Sequence, residues 1–499
     1  MRTSGVLLPI ASLPSKYGIG SFSKEAFEFV DQLERGGQSR WQILPLGPTG
    51  YGDSPYQSFS TYAGNPYYID LETLTEEKLL TREECEECDF GSNPGYVDYE
   101  KVYNARFKIL KKAFLRFQQD EGYREFVREN FFWLEDYSLY MAIKNELDGI
   151  SWSEWPEVLK KREAGALQEK QEALKEEVDF FKFQQYEFSR QWKKLKSYAN
   201  QKGIQIIGDI PIYVAFDSAD TWANPELFQF DQDGKPVGVA GCPPDAFSAT
   251  GQLWGNPLYD WPYHKKTGYD WWLKRLGYCF LLYDVVRVDH FRGFDEYYAI
   301  PYGDKTAEKG RWEKGPGIEL FRLLKEKLGD LPIIAEDLGY LTESVLKLVA
   351  DTGYPGMKVL QFAFEQNPQN VYLPHNYQNN CVVYTGTHDN TTILDWLKDM
   401  TEDDYAFTQR YLNNSCTCHE ELPWDFIRLA MASTADTAIT PIQEYLCLDG
   451  SARINHPSTL GDNWKWRLLP GQLTDGILSR MRELTELYGR AQTQKENRR

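Results

Sequence analysis

Eight short apolar runs recur along the chain, and longer stretches of helical character separate them. The runs are GVLLPI (5–10), WQILPL (41–46), IQIIGDI (204–210), DVVRVD (284–289), PIIAED (332–337), MKVLQFAF (357–364), CVVYTGT (381–387) and TAITPIQEY (437–445). Short β-branched runs that alternate with helices are typical of a parallel α/β sheet or barrel. Eight runs match the eight strands of a (β/α)8 barrel, which needs about 250 residues. About half of the 499 residues therefore lie outside a minimal barrel.

The spacing between the runs places the extra residues in two insertions. One strand–helix unit needs about 30 residues, but roughly 160 residues separate the second and third runs and roughly 75 separate the third and fourth. Length alone allows about two to four domains. We predict one catalytic barrel domain over residues 1–499, with a helical and loop insertion at 47–203 and a second insertion at 213–283. In the first, residues 157–203 are predicted to be helical, with core-facing side chains at helical spacing at Phe181, Phe188, Trp192, Leu195 and Ala199.

The charge balance and the cysteine pattern exclude several classes of protein. The 74 acidic and 55 basic residues give a net charge of −19, which argues against nucleic acid or an anionic membrane surface as a partner, because both need a basic face. Cys85 and Cys88 have zinc-knuckle spacing without a matching second pair, so no metal site is predicted. No window of about 18 apolar residues could span a membrane, and the first apolar run is too short for a signal peptide. We expect a cytoplasmic protein.

Acidic residues end four of the predicted strands. Side chains two apart on a strand point the same way, so Arg287 and Asp289 share a face that opens towards the loops of the barrel. Taken alone, this pair is more typical of a structural ion pair. Glu336, Asp389 and Asp209 end three further runs, however, and that repetition favours a site.

Crowded carboxylates repel one another and thereby separate their pKa values. Glycoside cleavage needs such a separation, with one ionised carboxylate and one protonated carboxyl group beside the bond. A Mg²⁺ site is the competing interpretation, because carboxylates also bind this ion. The guanidinium of Arg287 argues against it, since a positive group is a poor neighbour for a cation.

Two loops carry groups that suit a sugar ligand. Residues 47–68 are rich in Gly, Tyr and Ser, and residues 242–261 contain Gln252, Trp254 and Asn256. Aromatic faces match the apolar faces of sugar rings, and amides and hydroxyls match their polar rims. The first loop lacks the GK[ST] signature of a phosphate-binding loop. Turn chemistry and aromatic packing remain the alternative for any single tyrosine.

The chain resembles glycoside hydrolase family 77, the 4-α-glucanotransferases of the amylomaltase type within the α-amylase superfamily. The matching segments are LPLGPTGYGDSPYQSFS, GDIPIYVAFDSADTWANPELF, PPDAFSATGQLWGNPLY, VVRVDHFRGF, IAEDLG, YTGTHDNTT and NHPSTLGDNWKWR. The resemblance implies a (β/α)8 barrel with inserted subdomains and no C-terminal β-sandwich. It also implies α-1,4-glucans and maltooligosaccharides as ligands, no cofactor, and a monomer or homodimer.

The resemblance further implies roles for individual positions. Asp289 matches the nucleophile, Glu336 the general acid/base, and Asp389 the carboxylate that grips sugar hydroxyls. Tyr51 matches a secondary glucan site. The expected substrate-binding residues, on the donor side and in the acceptor-side loop, are Arg287, His388, Asp209, Tyr56, Ser54, Gln252, Trp254 and Asn455. His290 has no predicted catalytic role.

The chain departs from the family pattern at two positions. Ala246 stands where a tyrosine is usual, which bears on the acceptor side and on the ratio of transfer to hydrolysis. Ser458 stands where glycine is common, and we expect little effect. A retaining 4-α-glucanotransferase is the predicted function. The alternatives are an α-1,4-glucan hydrolase with the same residue roles and a glucan-binding scaffold without chemistry.

Overall fold

Every predicted apolar run overlaps one strand of a single parallel sheet. The computed structural model describes residues 2–50, 52–244, 248–339, 341–414 and 421–491. In this part of the chain the strands are β1 Thr3–Leu7, β2 Arg40–Gln42, β3 Gln205–Pro211, β4 Gly238–Cys242, β5 Gln252–Pro257, β6 Val285–Asp289, β7 Glu296–Pro301, β8 Arg311–Lys314, β9 Ile333–Ala335, β10 Gly356–Val359, β11 Cys381–Tyr384 and β12 Thr437–Pro441.

Helices surround this sheet and fill the long connections. Those in the described residues are α1 Lys24–Arg35, α2 Leu71–Glu76, α3 Arg82–Glu86, α4 Tyr99–Arg116, α5 Glu121–Glu129, α6 Phe131–Glu146, α7 Glu157–Lys160, α8 Ala164–Ala173, α9 Lys175–Gln201, α10 Ala219–Ala223, α11 Trp261–Lys266, α12 Asp270–Leu282, α13 Ile318–Leu328, α14 Glu343–Thr352, α15 Ile393–Trp396, α16 Glu402–Leu412, α17 Leu422–Ala432, α18 Ile442–Tyr445 and α19 Asp475–Leu487.

The parallel sheet follows chain order and nearly closes on itself. Its strands lie in the order β10–β11–β12–β1–β2–β3–β6–β9. The two edge strands approach each other, because the N–H of Ala335 donates to the carbonyl of Pro355 at 2.9 Å. The predicted (β/α)8 barrel is confirmed. After β12 the described residues form helices and loops without a further strand, so they contain no β-sandwich.

Several predicted runs are longer than the strands they contain. The run at 437–445 ends as a strand at Pro441 and continues as α18, because proline has no N–H to extend the ladder. The predicted helix at 157–203 is divided into α7, α8 and α9. One break includes Arg162, which has φ 54°, a conformation that interrupts a right-handed helix. The predicted core-facing side chains of α9 are buried.

The two long connections differ in what they build. Residues 47–203 contain α2 to α9, and α6, α9 and α10 share a second apolar cluster beside the barrel core. The second connection, between β3 and β6, supplies β4 and β5 to a small antiparallel sheet of order β5–β4–β7–β8. Because β7 and β8 follow β6, this sheet is not confined to the predicted insertion at 213–283. The division into one catalytic domain with two insertions stays a prediction.

None of the helices in the described ranges is long and apolar enough to cross a membrane. Cys85 is buried, and the Cys88 thiol donates to the carbonyl of Glu84 at 3.4 Å. Across the same ranges, no three His, Cys, Asp or Glu side chains are grouped as they would be to hold a metal ion.

Candidate active site

Four carboxylates lie at the C-terminal ends of the barrel strands. Asp209 on β3 pairs in register with Arg287 on β6, two residues before Asp289 at the end of that strand. Glu336 follows β9 directly, and Asp389 lies in the loop after β11. Parallel strands end at one rim of the sheet, and β3, β6 and β9 are neighbours. The fold therefore brings together the four acidic positions that the sequence predicts.

Arg287 connects two of these carboxylates. One terminal nitrogen of its guanidinium donates to both oxygens of Asp209, at 2.8 and 2.7 Å, and the other donates to Asp289 Oδ1 at 2.9 Å. Burial opposes the charge of Arg287, but Asp209 and Asp289 outweigh burial and raise the pKa of Arg287 well above its usual range. The structural ion pair and the candidate site are thus one network, in which Asp209 is the fully buried partner.

Main-chain groups hold the carboxyl group of Glu336. The N–H of His290 donates to Glu336 Oε2 at 2.7 Å, and the N–H of Leu338 donates to Oε1 at 2.8 Å. His290 has φ 52°, in the left-handed region, and directly follows Asp289. The turn after β6 therefore joins the two carboxylates. The neighbouring Asp337 points elsewhere, because it accepts from the N–H of Met357 at 2.6 Å.

Burial and neighbouring charges both act on the pKa values of Asp289 and Glu336. Burial raises the pKa of Asp289, and Asp209 and Asp389 add to this effect, whereas Arg287 lowers it. Burial and the charge of Asp289 raise the pKa of Glu336 to about 7. Arg287 thus favours the ionised form of Asp289, as its charge predicts, although it does not cancel the effect of burial. With a pKa of about 7, Glu336 is partly protonated near neutral pH.

Tyr56 and His388 close one side of the site. The Tyr56 hydroxyl donates to Asp209 Oδ2 at 2.7 Å and lies 2.9 Å from His388 Nε2. The two rings are stacked, with centroids 5.3 Å apart. Burial, then the charge of Asp209, raises the pKa of Tyr56 well above its usual range, so the hydroxyl keeps its proton. Trp464 lies beside both rings.

Asp389 is more accessible than Asp209 and Asp289. Its side chain is 45% exposed, against 0% for Asp209 and 32% for Asp289. Its Oδ1 accepts from the Asn455 amide at 2.6 Å and lies 3.4 Å from His388 Nε2. A partly exposed carboxylate beside buried ones can meet the hydroxyl groups of a ligand.

The predicted acceptor-side residues lie around His290 rather than around Arg287. Trp254 on β5 packs edge-to-face on the His290 ring, with centroids 4.8 Å apart, and its indole N–H donates to Gln252 at 3.1 Å. Ser54 is half-buried, and its hydroxyl accepts from the N–H of Tyr56 at 3.3 Å, which orders the loop that carries Tyr56.

Tyr51 and Ala246 lie outside the described residues, so their roles stay predictions. Ser458 has φ 64°, a conformation that favours glycine, which gives a physical reason for the glycine common at this position.

The sequence predicts no role for two further residues of the site. His290 has no predicted catalytic role, yet its main chain binds Glu336 and its ring touches Trp254. Burial, and to a smaller extent Arg292, lowers the pKa of His290 to about 3, so its ring is neutral. Trp464 lies within the motif NHPSTLGDNWKWR, which by itself indicates no role for this residue. Neither residue follows from strand periodicity, because turn conformation and ring contacts are tertiary properties.

A family model described as "4-alpha-glucanotransferase" matches residues 8–473. The chain belongs to the 4-alpha-glucanotransferase family. A relative from Clostridium butyricum named 4-alpha-glucanotransferase is 50% identical over 97% of this chain and 100% of its own length. One of the same name from Thermus thermophilus is 47% identical, over 97% of this chain and 98% of its own length.

One solved structure agrees with this membership, and a second shares the fold. The amylomaltase from Streptococcus agalactiae in complex with acarbose has a TM-score of 0.96 and 42% identity, covering 99% of this chain and 100% of its own. The amylomaltase from Corynebacterium glutamicum has a TM-score of 0.77 at 18% identity, covering 98% of this chain and 74% of its own, and so shares the fold.

Proposed function

We propose that this member of the 4-alpha-glucanotransferase family cleaves an α-1,4-glucan and transfers the glycosyl segment to the 4-hydroxyl of another glucan or of glucose, with retention. One observation carries the mechanism. Glu336 has a pKa of about 7 and is held by the main chain beside Asp289, which in turn touches Arg287. A protonated acid and an ionised nucleophile at one rim are the two groups that a retaining mechanism requires.

The first step forms a covalent intermediate. The Asp289 carboxylate attacks the anomeric carbon of the donor, and the bond from that carbon to the glycosidic oxygen breaks. Glu336 gives its proton to the departing oxygen, so the released sugar leaves as an alcohol and Glu336 becomes ionised. Retention requires the carboxyl groups of Asp289 and Glu336 to lie about 5–5.5 Å apart.

The second step reverses the first with a new sugar. The 4-hydroxyl of the acceptor attacks the anomeric carbon, Glu336 takes the hydroxyl proton, and the bond to Asp289 breaks. The enzyme returns to its starting protonation state with a new α-1,4 bond in the product. Two inversions at one carbon preserve the α configuration.

The remaining residues bind and orient the donor and the acceptor. Asp389 accepts hydrogen bonds from sugar hydroxyls, and His388 and Tyr56 line the same donor subsite. Gln252 and Trp254 face the acceptor, where an indole face can cover an apolar sugar face. Asp209 contributes through Arg287, since both of its oxygens are bound to that guanidinium.

Hydrolysis would use the same residues with water as the acceptor. The relatives named 4-alpha-glucanotransferase, up to 50% identical over nearly the whole chain, favour transfer. A scaffold without chemistry is disfavoured, because Asp289, Glu336 and Asp389 are all present. A cytoplasmic location and a monomeric or homodimeric state stay predictions.

Incubation with maltotriose alone, followed by thin-layer chromatography, separates the three functions. A transferase yields glucose and a ladder of oligomers longer than maltotriose. Only shorter sugars would mean hydrolysis, and an unchanged substrate would mean a scaffold. Either of the last two results contradicts the proposal.

A further inference from the structure

Residues 453–455 hold the loop that carries Asp389, although they lie far from it along the chain. Arg453 donates from a terminal guanidinium nitrogen to the carbonyl oxygen of Asp389 at 2.6 Å. The N–H of Asn455 donates to the carbonyl of His388 at 3.1 Å, and the Asn455 amide donates to Asp389 Oδ1 at 2.6 Å. The main chain and the side chain of Asp389 are thus held from one segment.

Arg453 also fixes its own segment. Its Nε donates to the carbonyl oxygen of Asn455 at 2.7 Å. The planar guanidinium therefore binds two carbonyl oxygens. One belongs to Asp389, in the loop after β11, and the other belongs to Asn455, whose side-chain amide binds the Asp389 carboxylate. Because its donors are arranged rigidly, a guanidinium can set the spacing of two such oxygens, which a lysine ammonium cannot do in the same way.

These contacts restrict the side-chain conformations of Asp389. This side chain is 45% exposed and lies on a loop, so without contacts it would sample several rotamers. Asp289, by contrast, is held directly by the guanidinium of Arg287. Groups that stabilise a transition state act best when they are oriented before the substrate arrives, since no reorganisation is then needed during the reaction.

We propose that Arg453 is a positioning residue that presets Asp389 through Asn455 and the Asp389 carbonyl, without touching the sugar. This inference rests on the proposed function, in which Asp389 binds the donor sugar. If this is so, replacing Arg453 affects the reaction only when Asp389 is present. A merely structural anchor would instead act on the stability of the chain, whatever residue stands at position 389.

A double-mutant cycle distinguishes these roles. The variants are Arg453→Gln, Asp389→Asn and the double variant, assayed by fluoride release from α-maltosyl fluoride with maltose as the acceptor. The activated donor keeps slow variants measurable. Arg453→Gln should lower kcat/KM by about 10- to 100-fold, the size expected for a misplaced group. In the Asp389→Asn background the same change should alter kcat/KM by less than about 3-fold, because coupled residues are not additive.

Arg2→Gln is the matched control. Arg2 is also half-buried and donates to main-chain carbonyls, of Tyr488, Met431 and Ser433, but it precedes β1 at the opposite end of the barrel strands. Its replacement should lower the melting temperature without a change in kcat/KM that depends on position 389.

Each outcome of the cycle has one meaning. If Arg453→Gln lowers kcat/KM equally in both backgrounds, or leaves the wild-type value unchanged, the positioning role is wrong while the proposed function stands. If Asp389→Asn alone keeps near-normal kcat/KM, the role of Asp389 in the proposed function fails instead. Should Arg453→Gln not fold, Arg453→Lys replaces it in the same cycle, where loss of one of the two carbonyl contacts should lower kcat/KM by about 3- to 10-fold, again only with Asp389 present.

Discussion

Two glutamates at the rim of the barrel carry raised pKa values, and only one of them is affected by a neighbouring carboxylate. Glu336 after β9 reaches a pKa of about 7, and Glu444 on α18 reaches about 8. Burial is the largest cause for both. Both carboxyl groups also accept from main-chain N–H groups, those of His290 and Leu338 for Glu336 and that of Ile393 for Glu444.

The two glutamates differ in their exposure and in the charges near them. Glu336 is only half-buried, and the negative charge of Asp289 is the second cause of its raised pKa. Glu444 is 2% exposed, and its shift has no contribution from another acidic group. A raised pKa alone therefore does not identify a catalytic acid. Access to a ligand and a neighbouring carboxylate that can act as nucleophile are what distinguish Glu336, and four substitutions test this distinction.

Asp289→Asn should have the largest effect. The amide cannot form the glycosyl intermediate, so turnover of maltotriose should fall by about 10⁴-fold or more, as for other lost nucleophiles. The fold should persist, which circular dichroism checks. Because the charge of Asp289 raises the pKa of Glu336, the pKa of Glu336 should also fall in this variant, which NMR of the labelled carboxyl group can measure. Near-normal transfer by Asp289→Asn would exclude Asp289 as the nucleophile.

Glu336→Gln should have the second-largest effect on activity. Loss of a general acid lowers the reaction rate by about 10²- to 10⁴-fold, so the rate of glucose release from maltotriose should decrease by a factor of this size. Fluoride leaves without needing a proton, so formation of the intermediate from α-maltosyl fluoride should be close to normal. In the wild type, kcat/KM for maltotriose should decrease above pH 7 as Glu336 loses its proton. An equal loss with both donors would contradict the acid role.

The barrel and its acidic rim were predictable because they depend on local patterns. Each apolar run marks a strand, and side chains two apart share a face, so Arg287 and Asp289 could be placed together. The small antiparallel sheet is not predictable in this way, since strands such as RWEK at 311–314 are short and have no apolar pattern. Pairing of β4 with β7 across more than 50 residues is decided by tertiary packing.

The finer roles within the site depend on contacts that periodicity does not encode. Glu336 and Asp337 are adjacent in sequence, yet only Glu336 lies beside Asp289, because Asp337 binds the main chain of Met357. The contact between Asn455 and Asp389 joins positions 66 residues apart. For such pairs, similarity to a family indicates a site, and only the three-dimensional structure shows which atoms are in contact.

Arg287→Met should combine an intermediate loss of activity with a loss of stability. Its removal leaves the fully buried Asp209 without its cationic partner, a change that typically costs about 3–5 kcal/mol. The pKa of Asp289 should rise further, because Arg287 is the larger of the two groups that lower it. We expect the acidic limb of kcat/KM to move to higher pH, along with a lower melting temperature. An unchanged acidic limb would mean that Arg287 supports the fold and does not tune the nucleophile.

Glu444→Gln should have the smallest effect on activity and is the test of the other glutamate. With a raised folded-state pKa, Glu444 contributes stability that is complete below the ordinary carboxyl pKa and is lost as the pH rises towards 8, at about 1.4 kcal/mol per pH unit. Glutamine keeps an oxygen for the N–H of Ile393 and does not titrate. The melting temperature of the variant relative to wild type should therefore increase between pH 5 and pH 8 and level off above, while kcat/KM at pH 6 stays within about 2-fold. If kcat/KM at pH 6 instead fell as far as in Glu336→Gln, the two glutamates would not differ in the way that their surroundings indicate.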